Sequence, residues 1–170
     1  MNRVAVVGSG GSGKSTFSEE LARITGLPLY HLDEYYWRPG WVETPRDEWR
    51  AVQGELVAHE RWIIEGNYSG TYDLRFDRVD TVILLSLPRR VCVYRVVKRV
   101  AMNWHRDVQA RGCPERFDVS FLHWLWRFPY DARPVLDKAL AHYAGRFTLV
   151  ELSSTPRVRR YLAKLKADRT

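Results

Sequence analysis

GSGGSGKST, residues 8–16, stands directly behind a short β-branched run, RVAVV at residues 3–7, and opens an amphipathic stretch over residues 14–24. Glycines at this density suit a flexible turn, a dinucleotide-binding turn or a polyphosphate cradle, and the spacing separates the three. Gly8, Ser9, Gly10, Gly11, Ser12, Gly13, Lys14 and Ser15 satisfy G-x-x-x-x-G-K-[ST] in full, after a strand and before a helix, where the motif works mechanically. Glycines let the backbone turn its N–H groups inward around phosphate oxygens, and the helix N-terminus adds partial positive charge at the same place. Lys14 would reach the β- and γ-phosphates, the Ser15 hydroxyl would bind Mg²⁺, and Thr16 completes the stretch. A dinucleotide fingerprint fits worse, because its mechanism has no use for Lys-Ser.

The rest of the chain reads outward from this loop. Residues 17, 21 and 24 put Phe17, Leu21 and Ile24 on one helical face, and Gly26 with Pro28 ends that helix. A second strand is predicted at 28–32 (PLYHL), closing on Asp33 and Glu34. Thr44-Pro45-Arg46-Asp47 carries the signature of a capping box, which predicts a helix over 45–59. Strands are predicted at 62–65 (WIIE), 81–87 (TVILLSL) and 147–152 (FTLVEL), and helices at 89–104, 118–128, 134–144 and 156–166. Strands alternating with helices require crossover connections. The fold class is therefore α/β, a P-loop domain with a five-stranded parallel sheet and helices on both faces. The ligand site belongs at the carboxyl ends of the strands.

Composition narrows the class. A chain of 170 residues, 45% hydrophobic, suits one domain with its own core. No apolar leader and no stretch of the ~18 apolar residues needed to span a bilayer stand out, so a soluble, cytoplasmic protein is expected. Cys92 and Cys113 have no metal or disulfide spacing and read as reduced and structural. A net charge of +7 favours an anionic partner without choosing among nucleotide, nucleic acid and acidic metabolite. The small size argues against a motor, and no Asn-Lys-x-Asp guanine signature occurs. His31, His59, His105, His123 and His142 lack zinc spacing.

At this point the chain resembles the adenylate-kinase-like group of P-loop kinases, and more closely bacterial proteins labelled topology modulation protein. The resemblance runs through GSGGSGKST, HLDEYYWRPGW, TPRDEW, IIEGNY, LPRRVCVYRVVKR and GCPERFD. It implies a substrate region after the second strand and a helical lid inserted at about 101–130. It also implies that Asp33 lies near Mg²⁺ or the acceptor hydroxyl, the alternative being a solvated strand-end acid. Glu65-Gly66 stands where related kinases carry Asp-Gly, so Glu65 would hold a water on the metal or serve as a cap or ion-pair partner. Arg95 and Arg99 match the R-x-x-x-R that opens such lids. Four residues apart, they share a helix face and repel each other unless an anion sits between them.

Arg111, Arg116, Arg127 and Arg133 are further candidates to close over the transferring phosphoryl group. Phe121, Trp124, Leu125 and Phe128 recur at helical spacing and read as packing. Tyr35, Tyr36, Trp37, Arg38 and Trp41 would wall an acceptor pocket or pack the core, and Arg75 and Arg78 would grip an acidic acceptor or pair with Asp73 and Asp77.

The expectation that follows is an ATP- and Mg²⁺-dependent phosphotransferase acting on a small acceptor, with a nucleoside monophosphate among the candidates. In it Lys14, Asp33, Arg95 and Arg99 form the catalytic set and Ser15 and Asp33 face the metal. The alternative is a nucleotide-dependent regulator that binds DNA or RNA, which no helix-turn-helix, zinc-finger or RNP-like stretch supports. A third reading is a scaffold that binds ATP without turnover.

Overall fold

Val4, Ala5, Val6 and Val7 are fully buried, so the strand they form leaves no face for water and must lie in a sheet covered on both sides. In the computed structural model, which describes residues 1–168, this is strand β1 (Arg3–Gly8). It leads through the glycine loop into helix α1 (Lys14–Thr25), ended by Gly26 at φ 67°, whose N–H caps Ala22 O. Then come β2 (Leu29–His31), α2 (Leu32–Tyr36), β3 (Trp37–Arg38), β4 (Val42–Glu43) and α3 (Arg46–Ala58). The chain continues with β5 (Trp62–Glu65), a 3₁₀ turn at Ser69–Thr71, α4 (Tyr72–Phe76), β6 (Thr81–Leu85) and α5 (Arg89–Met102). It closes with α6 (Val119–Asp131), α7 (Arg133–His142), β7 (Thr148–Leu152) and α8 (Thr155–Ala167).

The main sheet has the order β2-β5-β1-β6-β7, and every neighbouring pair is parallel. Because side chains alternate across a strand, each strand feeds two cores. Ala5, Val7, Trp62, Ile64, Val82 and Leu84 face the layer of α3, α4 and α7, where Trp49, Leu56, Phe76 and Leu136 meet them. Val4, Val6, Ile63, Ile83 and Leu85 face the layer of α1, α5, α6 and α8, against Phe17, Leu21, Val96 and Leu125. Burying one such aliphatic side chain contributes about 1.5–3 kcal/mol, so the sheet and its two covers hold each other in register. From β1 the chain crosses to β2 on one side of the sheet and later to β6 on the other. That reversal opens a crevice at the carboxyl end of β1.

Three local features differ from the reading of the sequence. The second strand ends at His31, and Asp33 lies in the first turn of α2, where a helix N-terminus favours the Asp33 and Glu34 carboxylates. The stretch after it folds into a two-stranded hairpin, β3 with β4, turned by Gly40 at φ 79° and Trp41 at φ 63°. Thr44 makes no capping box. Its hydroxyl donates to Tyr36 O at 2.6 Å, tying the hairpin base to α2, and α3 begins after Pro45 without a side-chain cap.

Between α5 and α6, residues 103–118 form an irregular segment held by isolated bridges Trp104–Glu115 and Asp107–Pro114. It is fastened to the hairpin. Gly40 N donates to Gly112 O at 2.8 Å, and Trp41 Nε1 donates to Pro114 O at 3.0 Å. Asp118 then caps α6 by accepting from Phe121 N at 3.0 Å. Cys92 and Cys113 are both buried free thiols. Among the described residues no helix is long and apolar enough to cross a membrane.

Candidate functional site

The crevice at the end of β1 is a cleft of about 1520 Å³, floored by residues 10–16 of the glycine loop and roofed by α6, the irregular segment and the hairpin. The loop holds its shape through backbone that only glycine tolerates. Gly11 has φ 69°, and a Cβ there would stand 2.3 Å from Cys92 O; Gly13, the N-cap of α1, has φ 92°. The first-turn amides of α1 have no partner within the helix and face this cradle end-on. Gly8 and Ser9 are buried and do not line the cleft. The Gly8 amide and carbonyl are both taken by the Asn67 side chain, at 3.0 and 2.7 Å, which bolts the loop's entry to the end of β5.

Glu65, at the end of β5, is the hub of the floor. Its buried carboxylate lies 3.6 Å from Lys14 Nζ, accepts from Ser15 Oγ at 3.2 Å and sits 3.0 Å from His31 Nδ1. Lys14 also donates to Ser9 O at 3.2 Å. Burial works against the charged carboxylate, but the His31 hydrogen bond, Lys14 and Ser15 together hold Glu65 below the usual glutamate range. The bond to Glu65 raises the His31 imidazole above its ordinary 6.5, with burial opposing it. A raised folded-state pKa means that this contribution to stability is full below pH 6.5 and fades as pH rises through the shifted value. Urea unfolding at pH 6 and pH 8.5 is expected to show this loss, and His31→Gln to flatten it.

Asp33 lines the same cleft, within electrostatic reach of Glu65. Burial pushes its carboxyl above the usual aspartate range, while the Tyr68 hydroxyl, donating to Oδ1 at 2.5 Å, pulls the other way. Burial keeps that phenol protonated, so it remains a donor. Tyr68 sits at φ 44°, a left-handed conformation that bulky residues avoid, and the structure shows what holds it there. Arg75, fully buried, donates to Gly66 O at 2.6 Å, to Tyr68 O at 3.1 Å and to Asn67 O. Its guanidinium also lies over the Tyr72 ring, 5.1 Å from the centroid. Arg75 therefore neither grips an acceptor nor pairs with Asp73 and Asp77, which meet Arg50 and Arg146 instead. Arg78 donates to Val57 O.

Arg95 and Arg99 both border the cleft from α5. Arg95 donates to Ser12 O at 3.1 Å and to Thr155 Oγ1 at 2.9 Å, which draws it toward the outside of the loop. Arg99 Nε stands 2.9 Å from the buried Glu115, an ion pair whose angle falls short of a hydrogen bond. Lys98 is exposed away from the cleft. Of the four further arginines, Arg116 alone lines it, paired with Asp118 at 3.8 Å and lying over Trp41. Arg111 borders a separate shallow groove, Arg127 pairs with Asp131 in solvent, and Arg133 bonds Asp137, Ser86 and Glu151.

Leu125 is buried as packing, whereas Phe121 and Trp124, stacked at 5.8 Å, and the buried Phe128 also reach the cleft. Tyr36, Trp37 and Trp41 line its far wall together with Tyr68, whereas Tyr35 borders the shallow groove. Asn67, Tyr68, and Arg159 on α8 belong to the site without a recognised signal in the sequence. The first two lie in the IIEGNY stretch, directly behind Glu65.

No protein-family model matches the chain. A sequence relative, the uncharacterized protein YqaC of Bacillus subtilis (strain 168), is 27% identical over 142 residues, spanning 81% of this chain and 78% of its own. A gluconokinase from Sinorhizobium meliloti 1021 superposes with a TM-score of 0.57 at 21% identity, covering 99% of this chain and 93% of its own. A shikimate kinase from Acinetobacter baumannii, solved in complex with shikimate, superposes at 0.60 with 16% identity over 97% and 90%. The fold is that of the P-loop kinases.

Proposed function

We propose that the chain is an ATP- and Mg²⁺-dependent phosphotransferase acting on the hydroxyl of a small acceptor, in the adenylate-kinase-like group near the proteins labelled topology modulation protein. The observation that carries this reading is the convergence on Glu65. One buried carboxylate holds both Lys14 and Ser15 at the mouth of the glycine loop, and Asp33 lines the same cleft. The residues fit a chelated polyphosphate. The glycine cradle and the end of α1 suit the phosphates, and a hydroxyl with one or two carboxylates suits Mg²⁺, which keeps several waters and takes its other oxygens from substrate. Ser15 and Asp33 would hold the metal, with Glu65 fixing Ser15 or a metal-bound water. When bound, the ion supplies charge neutralisation at the β- and γ-oxygens.

The protein's own residues then act by position and charge. Lys14, standing between Ser9 O and Glu65, meets the polyphosphate at the mouth of the cradle, and Arg99 and Arg95 approach the equatorial oxygens as the segment around 101–130 closes over them as a lid. The acceptor oxygen forms its bond to the γ-phosphorus as the bond to the β-phosphate oxygen breaks, the electron pair leaving with ADP. The hydroxyl proton passes late to Asp33 Oδ2, because Tyr68 occupies Oδ1. Asp33→Asn keeps the shape but removes both the acceptor of that proton and one charge from the metal site, so transfer is expected to fall about 10²-fold or more and MgATP binding to weaken with it. Single-turnover ADP release and calorimetry read the two quantities separately. An ADP-release screen over nucleosides, nucleotides and hydroxylated metabolites tests the whole reading; tight MgATP binding with no phosphorylated acceptor would overturn it.

A further inference from the structure

Resting on the kinase reading, we propose that the acceptor is an uncharged alcohol carrying a flat ring, of nucleoside size, and not the phosphate ester of such an alcohol. The far wall of the cleft carries the argument. Tyr36 is the centre of a run of aromatic contacts, 4.7 Å from Tyr68, 4.9 Å from Trp37 and 5.0 Å from Trp49 between ring centroids, and Trp37 continues to Trp41 at 5.5 Å. The rings meet edge-on or tilted, so they brace one another as a rigid wall, and Trp37 and Trp41 are only half-buried. A flat ring laid against that wall places its attached hydroxyl within the reach of Asp33, whose Oδ2 is left open by Tyr68.

The charge on this wall argues against a phosphate on the acceptor. A phosphate ester is recognised by guanidiniums free to meet it, usually in bidentate pairs. Here Arg116 stands beside Asp118, at 3.8 Å, and Arg99 is assigned to the transferring phosphoryl group. Arg75 and Arg78 are spent on backbone carbonyls. Glu34 and Glu43 add further carboxylates to the lining, so acids outnumber bases on the acceptor side although the chain as a whole carries +7. An incoming dianion would meet net repulsion there, whereas a neutral ring with hydroxyls meets stacking surface and hydrogen-bond acceptors.

The test uses the full chain with ADP and Mg²⁺ present. Calorimetric titration compares the common ribonucleosides and 2′-deoxynucleosides with their own 5′-monophosphates. At least one nucleoside is expected to bind ten-fold or more tightly than its monophosphate, and ³¹P spectra with ATP to show that nucleoside phosphorylated. Trp41→Ala is expected to weaken nucleoside binding about ten-fold while MgATP affinity holds. The exposed pair Glu34→Gln with Glu43→Gln is expected to raise monophosphate affinity several-fold without unfolding the chain. Tighter binding or faster phosphorylation of the monophosphates overturns the inference and leaves the kinase reading standing, and so does a failure of every nucleoside to bind. Nucleosides that bind as expected with MgATP in place but are never phosphorylated overturn the kinase reading alone.

Discussion

Lys14→Met is expected to lower phosphoryl transfer by on the order of 10³-fold and to weaken MgATP binding at least ten-fold, the largest catalytic effect of any single change in this protein. The reason lies in the preorganised floor. Lys14 is held between Ser9 O and Glu65, at 3.2 and 3.6 Å, so its ammonium already stands at the mouth of the cradle. Charge placed in advance costs little reorganisation when the γ-phosphoryl group begins to move. Lys14→Arg is not a rescue, since a planar fork cannot occupy a site built for a compact ammonium beside the close-packed Gly11 and Gly13. Removing the ammonium also takes one cation from Glu65 and leaves His31 and Ser15 as its partners, so the Glu65 carboxyl is expected to titrate higher in the variant. Calorimetry with MgATP and single-turnover ADP release provide the measurements, and a thermal melt separates lost chemistry from lost fold. Undiminished nucleotide binding in Lys14→Met would remove the basis of the functional reading.

Arg75→Met is expected to cost about 3 kcal/mol of stability, the largest effect of any residue outside the hydrophobic core. Three successive carbonyls, those of Gly66, Asn67 and Tyr68, accept from this one guanidinium in a dry interior. Each buried acceptor left without a donor costs about 1–3 kcal/mol, and recovering the desolvation of the charge offsets part of the sum. Burial, opposed by neighbouring Tyr72, Tyr68 and Asp73, draws the guanidinium down to about 10, so it stays protonated at neutral pH and the bonds remain charge-assisted. Arg75→Lys offers one ammonium in place of a fork and is expected to restore less than half. Urea unfolding at pH 7 gives the number, and a loss below about 1 kcal/mol would show that water or relaxation satisfies the carbonyls instead. Activity is expected to fall as well, because Tyr68 at φ 44° loses the clamp that presents its hydroxyl to Asp33.

The residues that line the cleft divide by how local their signals are. The glycine loop is legible from nine consecutive letters, since its chemistry depends on backbone torsions that only glycine supplies and on a lysine and a serine at fixed offsets. The parallel sheet is legible for a similar reason. A strand buried on both faces has to be apolar throughout, and RVAVV, WIIE and TVILL each say so without reference to a partner.

Arg75 shows where that legibility stops. It resembles any other basic residue in DLRFDR, and its role depends on three carbonyls that the chain brings to it by turning back after β5. Asn67 is the same case, meeting Gly8 across 59 positions. Thr44 had a local signature, a capping box, and tertiary structure overrode it by offering Tyr36 O as a partner. Of the arginines between 106 and 133, spacing could not say which face the cleft, because residues 103–118 are irregular and take their course from docking on the hairpin.

By itself, then, the order of residues determined the glycine cradle, the α/β layering and the position of the crevice, all of which follow from short-range torsion and hydrophobic period. Only the folded chain decided that Glu65 joins Lys14 to Ser15, that Arg75 is a clamp, and that the far wall of the cleft is aromatic and acidic. Those are facts of convergence between segments distant in sequence, where charge, burial and hydrogen-bond demand are settled by whichever partner the packing brings within reach.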